Sequence, residues 1–376
     1  VRVIVGVPAE VKDNEYRVAV TPEGVRELTH SGHRVLLQDG AGTGSNIPQE
    51  RFERAGAEIV SGAAEVWREA EMILKVKEPI PDEYEHLREG QILFTYLHLA
   101  AGRDLTQVLV DRKVSAVAYE TVQLPDGRLP LLAPMSEVAG RMAPHVGARL
   151  QEREYGGRGI LMGGVSGVRP AKVLVLGAGM AGMNAAWIAA GMEAEVVVID
   201  RNLDRLRYID QMQRGRIMTL MSDRLTIEQR VRETDVLVGT VLVAGARAPK
   251  LVTEEMVASM RPGSVLIDIS IDQGGCFETS HMTTHSDPTY VVHEVVHYCV
   301  GNMPGAVPNT STYALTNVTL PYALAIADLG LDAAVASDPT LAGGVNAYAG
   351  SLTNQPVADA HQMPWVPLAS AIAGAG

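Results

Sequence analysis

One stretch limits the possible folds more than any other: KVLVLGAGMAGMNAAWIAAGMEAEVVVID, from Lys172 to Asp200. Val173 to Leu176 is an apolar run too short for a helix, and Val196 to Ile199 is a second one. Between them Gly177, Gly179 and Gly182 stand in the spacing G-x-G-x-x-G, followed by a small-residue segment that reads as a helix. Gly177 permits a tight turn, Gly179 lets the backbone approach a pyrophosphate, and Gly182 lets the helix lie close on the sheet. The unpaired N–H groups and positive dipole end of that helix then face the phosphates. Asp200, at the end of the second strand, can accept hydrogen bonds from an adenosine ribose. A lone G-x-G-x-x-G is often only a glycine-rich turn. With strand, helix, second strand and acid all in place, it predicts dinucleotide binding. A carboxylate at Asp200 repels a 2′-phosphate and so favours NAD over NADP, although Arg201, next in line, works against that preference.

The rest of the chain is compatible with such a domain and leaves room for another. At 376 residues it is long enough for two cores. A net charge of −12 argues against a nucleic-acid or anionic-membrane surface, so an anionic cofactor must be held by local donors. Cys276 and Cys299 make no disulfide framework and lie in no metal-type cluster, which fits a reduced, cytoplasmic compartment. Charge appears at Arg2 and Glu10 without the apolar core of a signal peptide. The uncharged window Val173 to Met192 imitates a membrane span in length. Its fingerprint glycines and Asn184 favour the strand-and-helix reading.

Taken in order, residues 1–20 read as a strand (VRVIVGVP), a polar turn (EVKDNEYR) and a return strand. Thr21-Pro22-Glu23 opens a helix, with an N-cap residue followed by proline at the first helical position. Strands follow at His33 to Gln38, in MILKVKEP, in QILFTYLH and near Val114 to Tyr119, with AGTGS as a loop. Repeated β–α alternation implies a parallel, doubly wound sheet in this segment too. Pro134 to Glu154 reads as a long helix between domains, which Pro144 should kink or break. Further strands are expected near Val236 and Val265, a helix from Ser311 to Gly330, and a frayed tail from Gln362. The fold class is therefore α/β, with two doubly wound Rossmann-like domains and a cleft between them. Residues 1–134 and 308–376 form a discontinuous substrate domain, and 135–307 the NAD-binding domain.

Four side chains outside the glycine motif are candidates for chemistry. Arg17, in NEYRV, follows the first polar turn, where an arginine is ordinarily a surface ion pair. Lys77, in KVKEP, ends a strand, where lysines are mostly solvated. His98 ends FTYLH, with Phe94, Tyr96 and His98 on one face by two-residue alternation. Asp272 ends SVLIDISID and precedes Gln-Gly-Gly. Ligands of doubly wound sheets bind beyond the carboxyl ends of strands, where Lys77, His98 and Asp272 all fall. His293-Glu294-Val295-Val296-His297 matches the zinc motif H-E-x-x-H. That motif works on a helix, where residues four apart sit about 6 Å from each other. The β-branched context TYVVHEVVHYCV predicts a strand instead, separating the histidines by roughly 13 Å, too far to share one zinc.

At these residues the chain resembles the alanine dehydrogenase family, which also holds the nucleotide-binding subunit of proton-translocating transhydrogenase. The segments that carry the likeness are GVPAEVKDNEYRVAVTP, LKVKEP, ILFTYLHLA, PMSEVAGRMA, GAGMAG, IDISIDQGGC and VVHYCVGNMPGAVP, spanning residues 6 to 308. Pro144 and the uncharged tail depart from the pattern outside these motifs. The resemblance implies two Rossmann-like domains, a substrate bound between them, and a homohexamer. It implies that Arg17 and Lys77 bind the substrate carboxylate, that His98 is the acid/base, and that Asp272 is the nucleotide-domain carboxylate beside the reacting carbon. Ser136, Asn302 and Met303 match motif positions on the cofactor or substrate side. The implied reaction takes L-alanine, NAD⁺ and water to pyruvate, ammonium and NADH, without nucleic acid, membrane or metal.

The chemistry fits those residue types. A planar guanidinium pairs with a carboxylate in two places, and a lysine adds a second positive charge. Proton traffic through amine, water and carbinolamine suits a histidine. Three rivals stand beside this reading: a transhydrogenase component, a 2-hydroxy-acid dehydrogenase and a catalytically silent NAD sensor. The first transfers hydride between nucleotides and has no need of a carboxylate clamp. The second shares the nucleotide fold without these N-terminal motifs.

Overall fold

A computed structural model describes residues 2–241 and 248–375. The chain divides into two units, Val1–Met135 with Val307–Gly376, and Ser136–Ala306. Each is built on its own, mainly parallel sheet.

In the first unit the strands are β1 (Ile4–Val7), β2 (Arg34–Gln38), β3 (Glu58–Val60), β4 (Met72–Leu74), β5 (Ile92–Thr95) and β6 (Ser115–Ala118). They lie parallel in the order β3-β2-β1-β4-β5-β6. That order reverses between β1 and β4, the doubly wound arrangement whose ligand site lies beyond the strand ends at the reversal. The helix Pro22–His30 begins as its sequence dictates, with the Thr21 hydroxyl accepting from the Gly24 N–H and proline in the first turn. The return strand expected before it does not form. Instead the Val18 N–H donates to the Thr312 hydroxyl and Ser45 bridges Thr312 to the Tyr16 carbonyl, so this segment pairs with side chains far along the chain. AGTGS is a short 3-10 turn, Thr43–Ser45, rather than an open loop.

The end of the chain departs most from expectation. Val345–Tyr348 (β14) and Ser351–Leu352 (β15) form an antiparallel hairpin on the edge of β6. The expected frayed tail is a helix, Leu368–Ala375, tied back by the Val366 N–H to the Leu352 carbonyl. LASAIAGA carries no charge pattern to reveal a buried face, yet alanine and leucine are strong helix formers. The helix expected from Ser311 to Gly330 runs Pro308–Leu329 and packs on Pro22–His30 where Gly24 faces Leu320.

The second unit contains β7 (Lys172–Leu176), β8 (Glu195–Asp200), β9 (Ile217–Met221), β10 (Val236–Gly239), β11 (Val265–Asp268), β12 (Thr289–Val292) and β13 (Val295–Tyr298). Their order is β12-β13-β11-β10-β7-β8-β9, with β12 alone antiparallel. The reversal again falls beside the first strand of the unit, between β7 and β10. Alternate β7 residues enter opposite cores: Val173 and Val175 on one face, Leu174 and Leu176 on the other. Both faces are covered, as a parallel sheet requires. The uncharged window Val173 to Met192 is thus a buried strand and the short helix Met180–Gly191. Among the described residues no helix is long and apolar enough to cross a membrane.

Ala133–Leu150 is one helix with Pro144 inside it, so the expected break does not occur. An interior proline costs about 3 kcal/mol. Against that, Ala139 and Ala143 are buried in the second unit's core. Gly140 lies so close to the next helix that a Cβ there would meet the Ala181 carbonyl at 2.2 Å. The H-E-x-x-H segment is a β-hairpin. His293 and Glu294 are its two turn residues, both left-handed (φ 51° and 60°). His293 pairs with Glu254. His297 sits buried against the Thr279 hydroxyl and the Val295 carbonyl. Burial pulls the His297 pKa down to about 4, so its ring is neutral. The helix a zincin site needs is replaced by a tight turn.

Candidate active site

In the first unit, Lys77 and His98 do not end their strands. β4 stops at Leu74 and β5 at Thr95, three residues short of each side chain. Two looser bonds prolong the pairing, Lys75 N–H to the Phe94 carbonyl and Tyr96 N–H to the Val76 carbonyl. His98 then turns into left-handed backbone (φ 48°), a conformation uncommon for a side chain of this kind. The Glu120 carboxylate holds it there by accepting the Leu97 and His98 N–H groups. So His98 shares no strand face with Phe94, but its ring still stacks on Tyr96, with centroids 5.9 Å apart.

Tyr96 is the hub of the group. Its hydroxyl donates to the Leu131 carbonyl and its pKa is pushed up, chiefly by burial. The Lys77 ammonium stands 6.0 Å from its ring centre, and the charge of Arg17 acts on its hydroxyl. Arg17 is not a surface residue. It is buried, with Nε and one Nη donating to the two oxygens of Glu15 and the other Nη reaching the Met135 sulfur. Burial pushes its pKa down, but the Glu15 hydrogen bonds and charge outweigh that and leave it raised. A guanidinium locked to a carboxylate in this way is rigid and permanently charged.

Charged residues that the sequence reading passed over fix these groups in place. Glu10 accepts the Val76 and Lys77 N–H groups, and fully buried Lys75 pairs with both Glu10 and Glu83. Burial raises the Glu10 pKa, with Lys75 opposing. Glu78 bonds His98 Nδ1 at 3.1 Å and pairs with Lys12. Burial works to raise its pKa, yet His98 and Lys12 take it down to about 2.

In the second unit the glycines behave as their spacing requires. Gly177 has φ 105°, and a Cβ on it would press on the Thr240 hydroxyl. A Cβ on Gly182 would lie 1.8 Å from the Gly177 carbonyl oxygen. Among the described residues, a Cβ on Gly179 would meet only the Arg205 guanidinium, at 3.8 Å. Among these residues the space above Gly179 is therefore open, and the helix it begins has no side-chain cap on its first N–H groups. That is a cradle for an anion, with Arg205 beside it, a residue no spacing rule singles out.

Asp200 ends β8, as its sequence position predicts. It is buried, accepting the Ala178 N–H at 2.6 Å and the Asn202 N–H at 2.7 Å. It thus shapes the glycine loop. Asp272 does not end a strand, because β11 stops at Asp268. That residue is buried and caps the following loop through Ser270, Cys276 and Ser280. Asp272 lies exposed in the 3-10 turn Ile271–Gln273. A Cβ on Gly301 would be 3.3 Å from its Oδ1, so Asp272 stands beside the residue that left-handed Asn302 (φ 58°) and buried Met303 follow. The Asn302 carbonyl accepts from His285 Nε2. Ser136 lies one turn before Gly140 on the helix Ala133–Leu150, half-buried. Among the described residues no cluster of histidine, cysteine and carboxylate side chains has metal-binding geometry.

Two groups thus emerge, each within one unit. Arg17, Lys77 and His98 gather around Tyr96, and Asp272, Asn302 and Met303 gather beyond β11 and β13. Comparison with known proteins gives these groups a context. Residues 6–139 match the description "Alanine dehydrogenase/PNT, N-terminal domain", and residues 143–355 the corresponding C-terminal domain. The chain is 56% identical to an alanine dehydrogenase of Mycolicibacterium smegmatis, over 98% of this chain and all of the relative. It is 53% identical to one of Methanococcus maripaludis, over 98% of this chain and 99% of the relative. A solved L-alanine dehydrogenase structure superposes with a TM-score of 0.93 at 48% identity, covering 96% of this chain and 99% of that one. A transhydrogenase structure from Sinorhizobium meliloti has a TM-score of 0.79 at 24% identity, over 93% of this chain and 99% of that one, a likeness of fold alone. Both halves match and the identity extends over nearly the whole length, so the chain belongs to the alanine dehydrogenase/PNT family.

Proposed function

We infer that the protein catalyses the reversible, NAD-dependent oxidative deamination of L-alanine: L-alanine, NAD⁺ and water give pyruvate, ammonium, NADH and a proton. The observation that carries this is the convergence of Arg17, Lys77 and His98 around Tyr96, in a chain 56% identical to alanine dehydrogenases. Two cations and an imidazole are the groups a 2-amino acid needs. Hydride transfer between nucleotides gives a carboxylate clamp no task.

The reading assigns substrate binding to the first unit and the nucleotide to the second. Arg17 and Lys77 hold the substrate carboxylate, which fixes the direction of the Cα–H bond and supplies orientation. Gly177, Gly179, Gly182, Asp200, Ser136 and Met303 hold NAD, whose nicotinamide accepts hydride from Cα when bound. Asn302 contacts the substrate side, and Asp272 holds the ammonium or orients the water. His98 takes a proton from that water as it adds to the imino carbon, and returns it to the nitrogen as the C–N bond breaks. The same reading makes the protein a cytoplasmic homohexamer that binds neither nucleic acid nor membrane. The net charge of −12 supports the lack of a nucleic-acid or membrane surface, and two free, buried cysteines support the reducing compartment.

NADH formation with L-alanine as sole substrate tests the function directly. An absence of alanine-dependent reduction leaves the nucleotide-transfer and sensor readings. Cofactor choice has its own test. Asp200→Ala is expected to weaken NAD⁺ relative to NADP⁺ by about tenfold or more, since a hydrogen bond to a charged group contributes about 1.5–3 kcal/mol. The variant also frees the Ala178 N–H and loosens the glycine loop. Both cofactors share the pyrophosphate that loop binds, so the ratio of their KM values cancels the damage. A ratio equal to that of the parent means the ribose is read elsewhere.

A further inference from the structure

We propose that Glu78 is a positioning residue for the reaction: its carboxylate accepts the Nδ1–H of His98, so that Nε2 is the nitrogen that exchanges protons with substrate, and Lys12 fixes that carboxylate in place. The proposal rests on the assignment of His98 as acid/base and adds to it the tautomer, the counter-ion and a link to the carboxylate clamp.

The geometry carries it. Glu78 Oε2 lies 3.1 Å from His98 Nδ1, and its Oε1 is engaged by the Lys12 ammonium. An ionised carboxylate can only accept hydrogen bonds, so the proton of the neutral ring belongs on Nδ1. With His98 and Lys12 drawing the Glu78 pKa down against its burial, the carboxylate is ionised throughout the working range. The ring is held on three sides: Glu78 at Nδ1, Tyr96 against its face, and Glu120 on the backbone N–H groups beneath it. Its imidazole side chain still keeps 42% of its surface exposed. An anion beside Nδ1 stabilises the imidazolium that forms when Nε2 takes a proton from the attacking water. That charge is lost again when Nε2 protonates the departing nitrogen.

Lys12 makes the arrangement more than a local pair. It belongs to the loop that leads from β1 to Arg17, and the same loop sends Glu10 to the N–H groups of Val76 and Lys77. Loop and strand end are thus stitched together at Glu10 and at Lys12–Glu78. The clamp residues Arg17 and Lys77 and the acid/base His98 therefore share one frame. The other charged or titratable groups around Glu78 and His98 are Lys77, Tyr84 and Glu120. Asp104 acts on Tyr84 beside Glu78.

The test uses the full-length Glu78→Gln, Glu78→Asp and Lys12→Met variants, with alanine oxidation measured against pH and NADH binding followed by fluorescence. Glu78→Gln is expected to lower kcat at least about tenfold, part of the ~10²–10⁴ that a positioned acid–base group supplies. The KM for alanine should change less than kcat. The low-pH limb of kcat/KM should move down by about one unit, as for loss of a neighbouring opposite charge. Lys12→Met removes a cation that opposes the imidazolium, and should move the same limb up. Glu78→Asp should recover part of the loss. Thermal unfolding and far-UV circular dichroism matching the parent show that the first unit is folded in the variants, and unchanged NADH binding shows the same for the second. A Glu78→Gln enzyme with the parent kcat and pH limb, or limbs that shift the same way in Glu78→Gln and Lys12→Met, overturns the proposal while leaving His98 as acid/base. Full turnover in a His98→Asn variant removes that underlying assignment as well.

Discussion

Replacing His98 by alanine lowers kcat for alanine oxidation by about 10²- to 10⁴-fold, the contribution of a positioned acid–base group, and leaves NADH binding intact. The two readouts separate because His98 belongs to the first unit and the glycine loop to the second. Backbone strain is the competing explanation for any loss, since His98 sits at φ 48° with its N–H on Glu120. Alanine in that conformation costs of order 1–2 kcal/mol, and a shifted turn would carry Tyr96 and Glu78 with it. Asparagine tolerates left-handed backbone but cannot shuttle a proton at neutral pH, so His98→Asn keeps the turn and removes the chemistry. Equal losses in the two variants assign the effect to the imidazole. If His98→Asn turns over normally while His98→Ala does not, the residue is there for the turn, and the acid/base lies elsewhere.

Which features the sequence revealed follows from how far each depends on distant partners. The glycine loop is largely local: Gly182 lies against the Gly177 carbonyl, and the spacing specifies the turn before its distant neighbour Thr240 is known. The parallel sheets are nearly as legible, because strands buried on both faces read as short apolar runs between helix signals. Lys77 and His98 follow the correct strands, but each lies three residues beyond the strand's end rather than at it, since β-branched and aromatic composition continues past the point where ladder bonds stop. For the same reason the composition carries the strand on to Asp272, whereas Asp268 ends β11. Arg17 shows what composition hides. NEYR reads as a solvated turn, and only the Ser45–Thr312 seam, made by residues 267 positions apart, reveals that the turn is covered. Glu10, Lys75 and Glu83 were invisible likewise, because a buried charge looks like a surface charge until its partner is known. The terminal helix hid for the opposite reason, having no polar face to mark its period.

Removing Arg17 should damage stability and substrate binding together, and a second substitution should separate them. Arg17 and Glu15 are both buried, 2% and 4% exposed, and joined by two short hydrogen bonds. Arg17→Met leaves the Glu15 carboxylate buried without its counter-ion, a loss of about 3–5 kcal/mol. Thermal unfolding of a unit this size should then fall by roughly 10 °C. Adding Glu15→Gln removes the orphaned charge. Because a neutral pair of similar volume often costs little relative to a buried ion pair, most of that stability should return. The clamp does not return with it. The KM for alanine should stay about 10- to 150-fold above the parent in both variants, the worth of a lost hydrogen bond to a charged group. Differential scanning fluorimetry beside steady-state kinetics reads both quantities on the same preparations. Recovery of alanine KM along with stability in the double variant would mean that Arg17 serves only to neutralise Glu15. Carboxylate binding would then fall to Lys77, whose ammonium stands over the Tyr96 ring.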